Sequence, residues 1–376
     1  MSKEEKKIHW HPFNGEGNKL PESENLNLPP APPWRKFERV VPNSDGARWT
    51  KLEVLAENDK NGLERGSKFR LLEVSENPEK SQDNNSQKLQ DNINLVIAGV
   101  NSAICLRRPL LVTGRPGSGK TTLAYAIAYQ LNLGPVLKWP ITTRTTLQDG
   151  LYRYDAIARL QEPNNSYQDI GSYITLGPLG TAFLPSNKPR VLLIDEVDKS
   201  DINLPNDLLT LFEEGEFEIP ELKREVKKRK IEVQAKEENE KSENKISIFT
   251  HDKGITIDIF EGTIGCNAFP IVIMTSNGER DFPPAFKRRC IRINMPNPGP
   301  NNLKSIVKAH MTEEYFNDSR EEIIKLIEEF IKKNDVATDQ LLNTIYMITG
   351  NGKSTIEPDK LKEILFRSLT EIEELG

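Results

Sequence analysis

The chain is 376 residues long, 36% hydrophobic and 28% charged, with a formal net charge of −5 at pH 7. That length has room for roughly two or three domains, and that composition leaves polar excursions outside any core. The small acidic balance gives no overall pull toward nucleic acid or an anionic membrane, and apolar runs such as Leu95–Val100 are too short to span a bilayer. Cys105, Cys266 and Cys290 lie far apart, and with His9, His11, His251 and His310 they form no zinc-site spacing; an odd cysteine count argues against a disulfide framework. Polar sequence, not an apolar h-region, follows Met1–Lys7, so no signal peptide is expected and a cytoplasmic setting is the simplest reading.

Residues 1–90 lack sustained periodicity and read as a Pro- and Asn-rich arm and linker. Leu28–Trp34 is an extended proline-rich segment. Trp10, Trp34, Phe37 and Trp49 are aromatic where a free tail is poor in aromatics, which predicts docking on the body of the protein or on a neighbour. Residues 75–92, rich in Asn, Gln and Ser, read as a surface loop.

Residues 91–298 alternate. A helix is predicted over 93–105, a strand over 109–113, a Gly-rich loop over 114–121 and a helix from 122. Further strands are predicted over 135–139, 191–194 and 269–275. Continuous apolar strands separated by helices predict a parallel sheet covered on both faces. Two insertions interrupt the alternation, at about 141–175 and 221–262. The second opens on the charged stretch 221–245, whose mixed signs read as a solvated helix or flexible segment rather than a nucleic-acid patch. It continues into Ile246–Phe249 and Ile255–Ile259, which alternate with period two around Asp252-Lys253-Gly254 and predict a β-hairpin. Residues 299–376 are helical. Ser319-Arg320-Glu321-Glu322 fits a capping box ahead of an apolar stripe through Ile323, Leu326, Ile327, Phe330 and Ile331. Leu341, Leu342, Ile345 and Ile348 repeat the stripe, as do Leu361, Ile364, Leu365 and Leu369.

The chemistry starts at Gly114-Arg115-Pro116-Gly117-Ser118-Gly119-Lys120-Thr121, followed by Thr122. It fits G-x-x-x-x-G-K-[ST] in a strand–loop–helix context, a phosphate-binding loop. Its glycines let backbone N–H groups close around phosphates, and the helix start adds a favourable dipole end. Lys120 reaches the β- and γ-phosphates of ATP, and the Thr121 hydroxyl ligates Mg²⁺. Asp195 and Glu196 end a buried strand, where open α/β sheets bind ligands. Asp195 is placed to hold Mg²⁺ and Glu196 to activate a water. Asn277 ends another strand and positions that water or touches the γ-phosphate; its plainer reading is a turn residue before Gly278. Arg288 and Arg289 are placed to stabilise a transferring phosphoryl group in a neighbouring subunit, or form a basic surface cluster.

The ordered set GRPGSGKT, VLLIDE, TSN and AFKRRC resembles the AAA+ ATPases, most closely the MoxR-like branch, over about 93–376. Gly177-Pro178-Leu179, the Glu213–Phe217 run, the hairpin and the Leu147–Asp155 stretch also fit that branch. The whole is similar to a subgroup that accompanies von Willebrand A-domain partners in bacterial conflict or defence modules. The resemblance implies an α/β fold: a doubly wound αβα P-loop NTPase core, a C-terminal helical lid over 299–376 and a largely irregular N-terminal arm. It implies a homo-oligomeric ring, usually of six subunits, with ATP between neighbours and a protein client that is remodelled, loaded or activated. Position by position, Lys120 and Thr121 are the phosphate-loop residues, Asp195 and Glu196 the metal and water residues, and Asn277 the first sensor. Arg289 best matches the arginine finger, with Arg288 second. The family places a second-sensor arginine where this chain has Asp339 or Gln340, with Lys353 or Arg367 as substitutes. The hairpin and the 141–175 insertion are expected on the ring's working surface, so that deleting 246–260 spares ATP binding but abolishes partner remodelling. Two alternatives stay open: a nucleic-acid-directed motor, resting on Lys223–Lys230, Arg107-Arg108 and Arg288-Arg289, and an assembly scaffold with slow turnover.

Overall fold

The computed structural model describes residues 12–21, 28–71, 84–161, 169–235, 245–311, 313–332, 337–349 and 358–366. Trp10, Lys353, Arg367, Leu369 and parts of both insertions lie outside these residues. The arm carries α1 (Asp45–Asn58) and α2 (Lys60–Lys68), and α3 (Asn84–Leu106) leads into β1 (Leu110–Thr113) and α4 (Lys120–Gln130). After β2 (Leu137–Pro140) come α5 (Leu147–Leu151), β3 (Tyr152–Tyr154), α6 (Ala156–Gln161), β4 (Ile174–Leu176) and α7 (Pro178–Ala182). β5 (Val191–Asp195), α8 (Leu204–Glu214), β6 (Glu216–Glu218) and α9 (Pro220–Ala235) precede the hairpin strands β7 (Lys245–Phe249) and β8 (Thr256–Phe260), then β9 (Thr263–Gly265). β10 (Ile271–Ser276), α10 (Pro284–Arg289) and β11 (Ile291–Asn294) are followed by α11 (Pro300–His310), α12 (Glu313–Asp318), α13 (Arg320–Lys332), α14 (Thr338–Thr349) and α15 (Pro358–Leu365).

Five parallel strands form the central sheet, in the order β11-β1-β10-β5-β2. Successive side chains of a strand point to opposite faces, and the burial divides accordingly. Leu110, Val112, Val191, Leu193, Ile271 and Ile273 join one core, with α3 and α4. Leu111, Leu192, Ile194, Val272 and Met274 join the other, with α7 and α8. The result is the doubly wound αβα core. The C-terminal helices pack around a third cluster that includes Leu303, Leu326, Phe330, Leu341 and Phe366. Ile331 and Ile364, expected on the buried stripes, are exposed. Among the described residues no helix is long and apolar enough to cross a membrane.

The arm departs from the sequence expectation. Residues 45–68 are helical although the apolar pattern of α1 is weak, because α1 is held by polar contacts together with the buried Trp49 and Leu52. Trp49 is buried and its indole donates to Ser186 Oγ at 2.8 Å; the Asp45 carboxylate accepts from the same hydroxyl at 3.1 Å and from Arg48 at 2.7 Å. Phe37 stacks on Phe269. Trp34, however, is 74% exposed, and the adjacent Arg35 is buried in its place. The five donors of a guanidinium find partners where an indole has one. Arg35 donates to the carbonyls of Arg107 and Phe212 and to Glu213, and lies over the rings of Phe37 and Phe269. Burial holds its pKa below the ordinary arginine value, with Glu213 opposing. Residues 84–92, expected as loop, begin α3, and Leu89 packs on the core beneath.

The two insertions are not separate excursions. β3, β4, β7 and β8 make one four-stranded sheet, with β4 and β7 parallel through Thr175 and Phe249. The predicted hairpin is present in the register Lys245↔Phe260 to Phe249↔Thr256. Its inner isoleucines, Ile246, Ile248, Ile257 and Ile259, are all buried in the core shared with the central sheet. Its turn exposes His251, Lys253 and Gly254 but buries Asp252. Asp252 accepts two bonds from Arg190, at 2.7 and 3.0 Å, just before β5. This bears on the expectation that deleting 246–260 spares ATP binding while abolishing partner remodelling, because the segment is part of the core packed on the central sheet. Deleting it removes five core side chains, Ile255 included, and takes the carboxylate partner from a buried guanidinium. The charged stretch after Pro220 is the helix α9. Leu222 and Val226 anchor it, while Lys223, Arg229 and Lys230 pair with Glu218, Asp169 and Glu261.

Candidate functional site

The Gly-rich loop lies at the carboxyl end of the sheet, between β1 and α4. Gly114, Gly117 and Gly119 have φ of 147°, 73° and 87°, values that only glycine adopts freely. Gly117 also faces the lid: a Cβ there would lie 2.7 Å from the Cβ of Ala337. Lys120, 7% exposed, folds back so that Nζ donates to the carbonyls of Gly114 and Arg115, each at 2.7 Å. Burial holds its pKa below the ordinary lysine value, opposed by Asp198, Asp195 and Glu196. The Ser118 hydroxyl is buried with no hydrogen-bond partner. A Gly-rich loop with a buried hydroxyl that has no partner among the described residues and a buried ammonium fits a polyanionic phosphate.

Asp195 ends β5. Its Oδ1 accepts from the hydroxyls of Thr121 (2.9 Å) and Thr275 (2.8 Å), and its Oδ2 lies 3.1 Å from Lys138 Nζ. The same Thr275 oxygen accepts the Glu196 N–H at 2.8 Å. Glu196 is left-handed, φ 62° and ψ 50°, an uncommon conformation for a residue with a Cβ. That turn sends its side chain away from Asp195, half exposed, to Lys199 at 2.9 Å. Asn277 follows β10, next to β5 in the sheet, so it reaches the same end. The hydroxyl of Thr121 beside the Asp195 carboxylate is a hard-oxygen pair suited to Mg²⁺. Among the described residues no group of three or more His, Cys, Asp or Glu is arranged for a metal, so the other ligands would come from phosphate and water.

The lid and the arm both touch the loop. α14 begins against Gly117. Gln340, at the second-sensor position, uses Oε1 to accept the Ala337 N–H at 2.8 Å, capping the helix start, and Asp339 is exposed. Phe69 of the arm is buried beside Gly119, and the Leu71 carbonyl accepts from Asn302 of α11 at 3.3 Å.

Arg288 and Arg289 are not brought to this site. α10 returns the chain to the amino end of the sheet, where Arg108 donates to the Arg288 carbonyl and the Ile291 N–H to the Pro109 carbonyl. The length of β1, about 13 Å for four residues, separates them from the loop. Arg289 donates to Glu213 at 3.0 Å, whose second oxygen is 3.3 Å from Arg35. The Arg288 side chain is exposed and has no partner among the described residues.

Three residues at the site escaped the sequence reading. Thr275 carried a signal, a hydroxyl inside an otherwise apolar strand. Asp198 carried a weaker one, a third acid in Asp195-Glu196-Val197-Asp198. Lys138 carried none, since a lysine on an edge strand reads as solvated.

Residues 109–290 match the AAA domain of the dynein-related subfamily. No curated protein matches the sequence. Among solved structures, NtrX of Brucella abortus, crystallised with ADP, is 12% identical with a TM-score of 0.40; the match covers 81% of this chain and 58% of that one. A Cytophaga hutchinsonii protein assigned as an ATPase is 13% identical, TM-score 0.34, over 89% and 94% of the two chains. A point variant of Thermotoga maritima RuvB is 14% identical, TM-score 0.35, over 78% and 74%.

Proposed function

We propose, from the premise that residues 109–290 are an AAA domain, that this chain is a Mg²⁺-dependent ATP-hydrolysing ring protein of the MoxR-like kind, cytoplasmic, which remodels, loads or activates a protein partner. The observation that carries the reading is a site incomplete in one chain. Lys120, Thr121, Asp195, Glu196 and Asn277 meet at one end of the sheet, while Arg288 and Arg289 lie at the other. Such a division suits a nucleotide held between neighbours, with a hexamer as the expected ring and a von Willebrand A-domain protein as the expected partner class. The loop and Lys120 bind the phosphates. Thr121 and Asp195 hold Mg²⁺, which when bound neutralises phosphate charge. Glu196 takes a proton from the attacking water, and Asn277 orients that water.

The test is ATP hydrolysis per subunit as protein concentration rises. Specific activity is expected to increase, and Arg288→Ala to lower turnover about 10³-fold, the scale of a trans arginine. Arg289→Ala should lose less than about tenfold, because its guanidinium is committed to Glu213. Flat specific activity, or both variants fully active, sinks the shared site. The slow scaffold would then be the better account, as Gln340 at the sensor position already favours.

Lys138 supplies a second check. Its ammonium neutralises Asp195 and so competes with a divalent cation for that carboxylate. Lys138→Met is expected to lower the Mg²⁺ midpoint for binding a fluorescent ATP analogue by up to about fivefold, the value of one partly exposed ion pair. An unchanged midpoint removes Lys138 from the metal's surroundings.

A further inference from the structure

Three consecutive N–H groups, from Asn277, Gly278 and Glu279, converge on one oxygen of Asp198, at 2.9, 3.0 and 3.2 Å. Gly278 makes this possible: its φ of 82° turns successive N–H groups toward one point, the geometry of an anion nest. A Cβ there would meet nothing within 4 Å, so glycine is needed for conformation and not for space. Asp198 is 4% exposed, and its other oxygen is buried with no hydrogen-bond partner. Buried polar atoms are ordinarily paired, so a half-paired carboxyl here needs a reason.

The place of the contact supplies one. β5 and β10 are paired only as far as Ile194↔Met274. Beyond that rung each strand continues into a site residue, Glu196 on one and Asn277 on the other. Thr275 ties the two strands just past that rung, through Asp195 and the Glu196 N–H, and Asp198 is the tie that reaches the Asn277 loop itself, joining segments 79 to 81 residues apart in sequence.

We propose that Asp198 is a positioning residue: it fixes the Asn277 loop against the turn that carries Glu196, so that the two groups act on one water. The proposal rests on the reading of Asn277 and Glu196 given above. Asp198 works through the three N–H groups, not through nucleotide.

The experiment has two arms on the full-length protein. In the first, hydrogen exchange without nucleotide should show the 277–279 amides exchanging at least about tenfold faster in Asp198→Ala, with α4 and β1 unchanged. Asp198→Asn keeps an acceptor oxygen and should restore most of the protection. Unaltered exchange at 277–279 overturns the proposal, and it does so whether or not the protein hydrolyses ATP. In the second, turnover at saturating ATP should fall about 10²-fold in both Asp198→Ala and Asn277→Ala, the scale of losing one preorganised polar contact to the reacting centre. The double variant should be no slower than the slower single one, since both remove the same element. Affinity for the fluorescent ATP analogue should stay within about twofold of wild type in each. Additive losses, or weakened affinity with unchanged turnover, assign Asp198 to Lys120 or the phosphates and overturn the proposal. A wild-type protein with no ATPase activity defeats the ring-ATPase reading alone; the exchange arm still decides Asp198.

Discussion

Asp252→Ala is expected to destabilise the protein by about 3–5 kcal/mol in urea unfolding, the range for removing one partner of a buried ion pair. Arg190 is 5% exposed and Asp252 9%. The pair is bidentate, and Arg190 also donates to the Pro135 carbonyl at 2.9 Å, while its Nε is buried without a partner. Removing the carboxylate leaves a buried guanidinium that cannot lose its proton and keeps only the Pro135 carbonyl among its partners in the described residues. The damage reaches the site because Arg190 immediately precedes β5, which delivers Asp195. Replacing both partners, Arg190→Met with Asp252→Leu, should recover most of the loss, since the penalty lies in the unpaired charge. A loss below about 1 kcal/mol in Asp252→Ala would return the turn to the surface role expected from its sequence.

Glu196→Gln is expected to lower turnover by about 10²–10⁴-fold, the usual contribution of a general base, while the fluorescent ATP analogue still binds. Glutamine keeps the length of the side chain and loses its capacity to take a proton, together with the half-exposed ion pair to Lys199, which contributes little. The backbone should tolerate the change, because the left-handed turn is held by the N–H bond to Thr275 and by the paired strands on either side, none of which uses the carboxylate. Loss of binding together with turnover would make Glu196 a ligand of the nucleotide or metal, and a variant as active as wild type would place the base elsewhere.

The central sheet was legible because its strands are covered on both faces. Val191–Ile194 and the run into Thr275 are continuous apolar stretches that little else in a soluble domain produces. The phosphate loop and the Asp195-Glu196 pair were legible because each is contiguous in sequence. What stayed hidden depends on distance along the chain. Asp252 reads as a turn residue and Arg35 carries no signal; Arg190 for the one, and the carbonyls of Arg107 and Phe212 with Glu213 for the other, all far away in sequence, make them internal. Asp198 and Thr275 likewise acquire a purpose only when β5 and β10 lie side by side. The arm helices were missed because Asp45, Arg48 and Trp49 bury polar atoms, which leaves no apolar period to detect.

The pairing of β4 with β7 bears on how this protein can be recombined. Residues 174–176 and 245–249 belong to different insertions, yet they share one sheet. A chimera that borrows either insertion alone would bring a strand whose neighbour stayed behind. Its open row of N–H and C=O groups is a template for association with other chains. The two stretches therefore form a single unit of exchange, although α7, β5, α8, β6 and α9 lie between them in the chain.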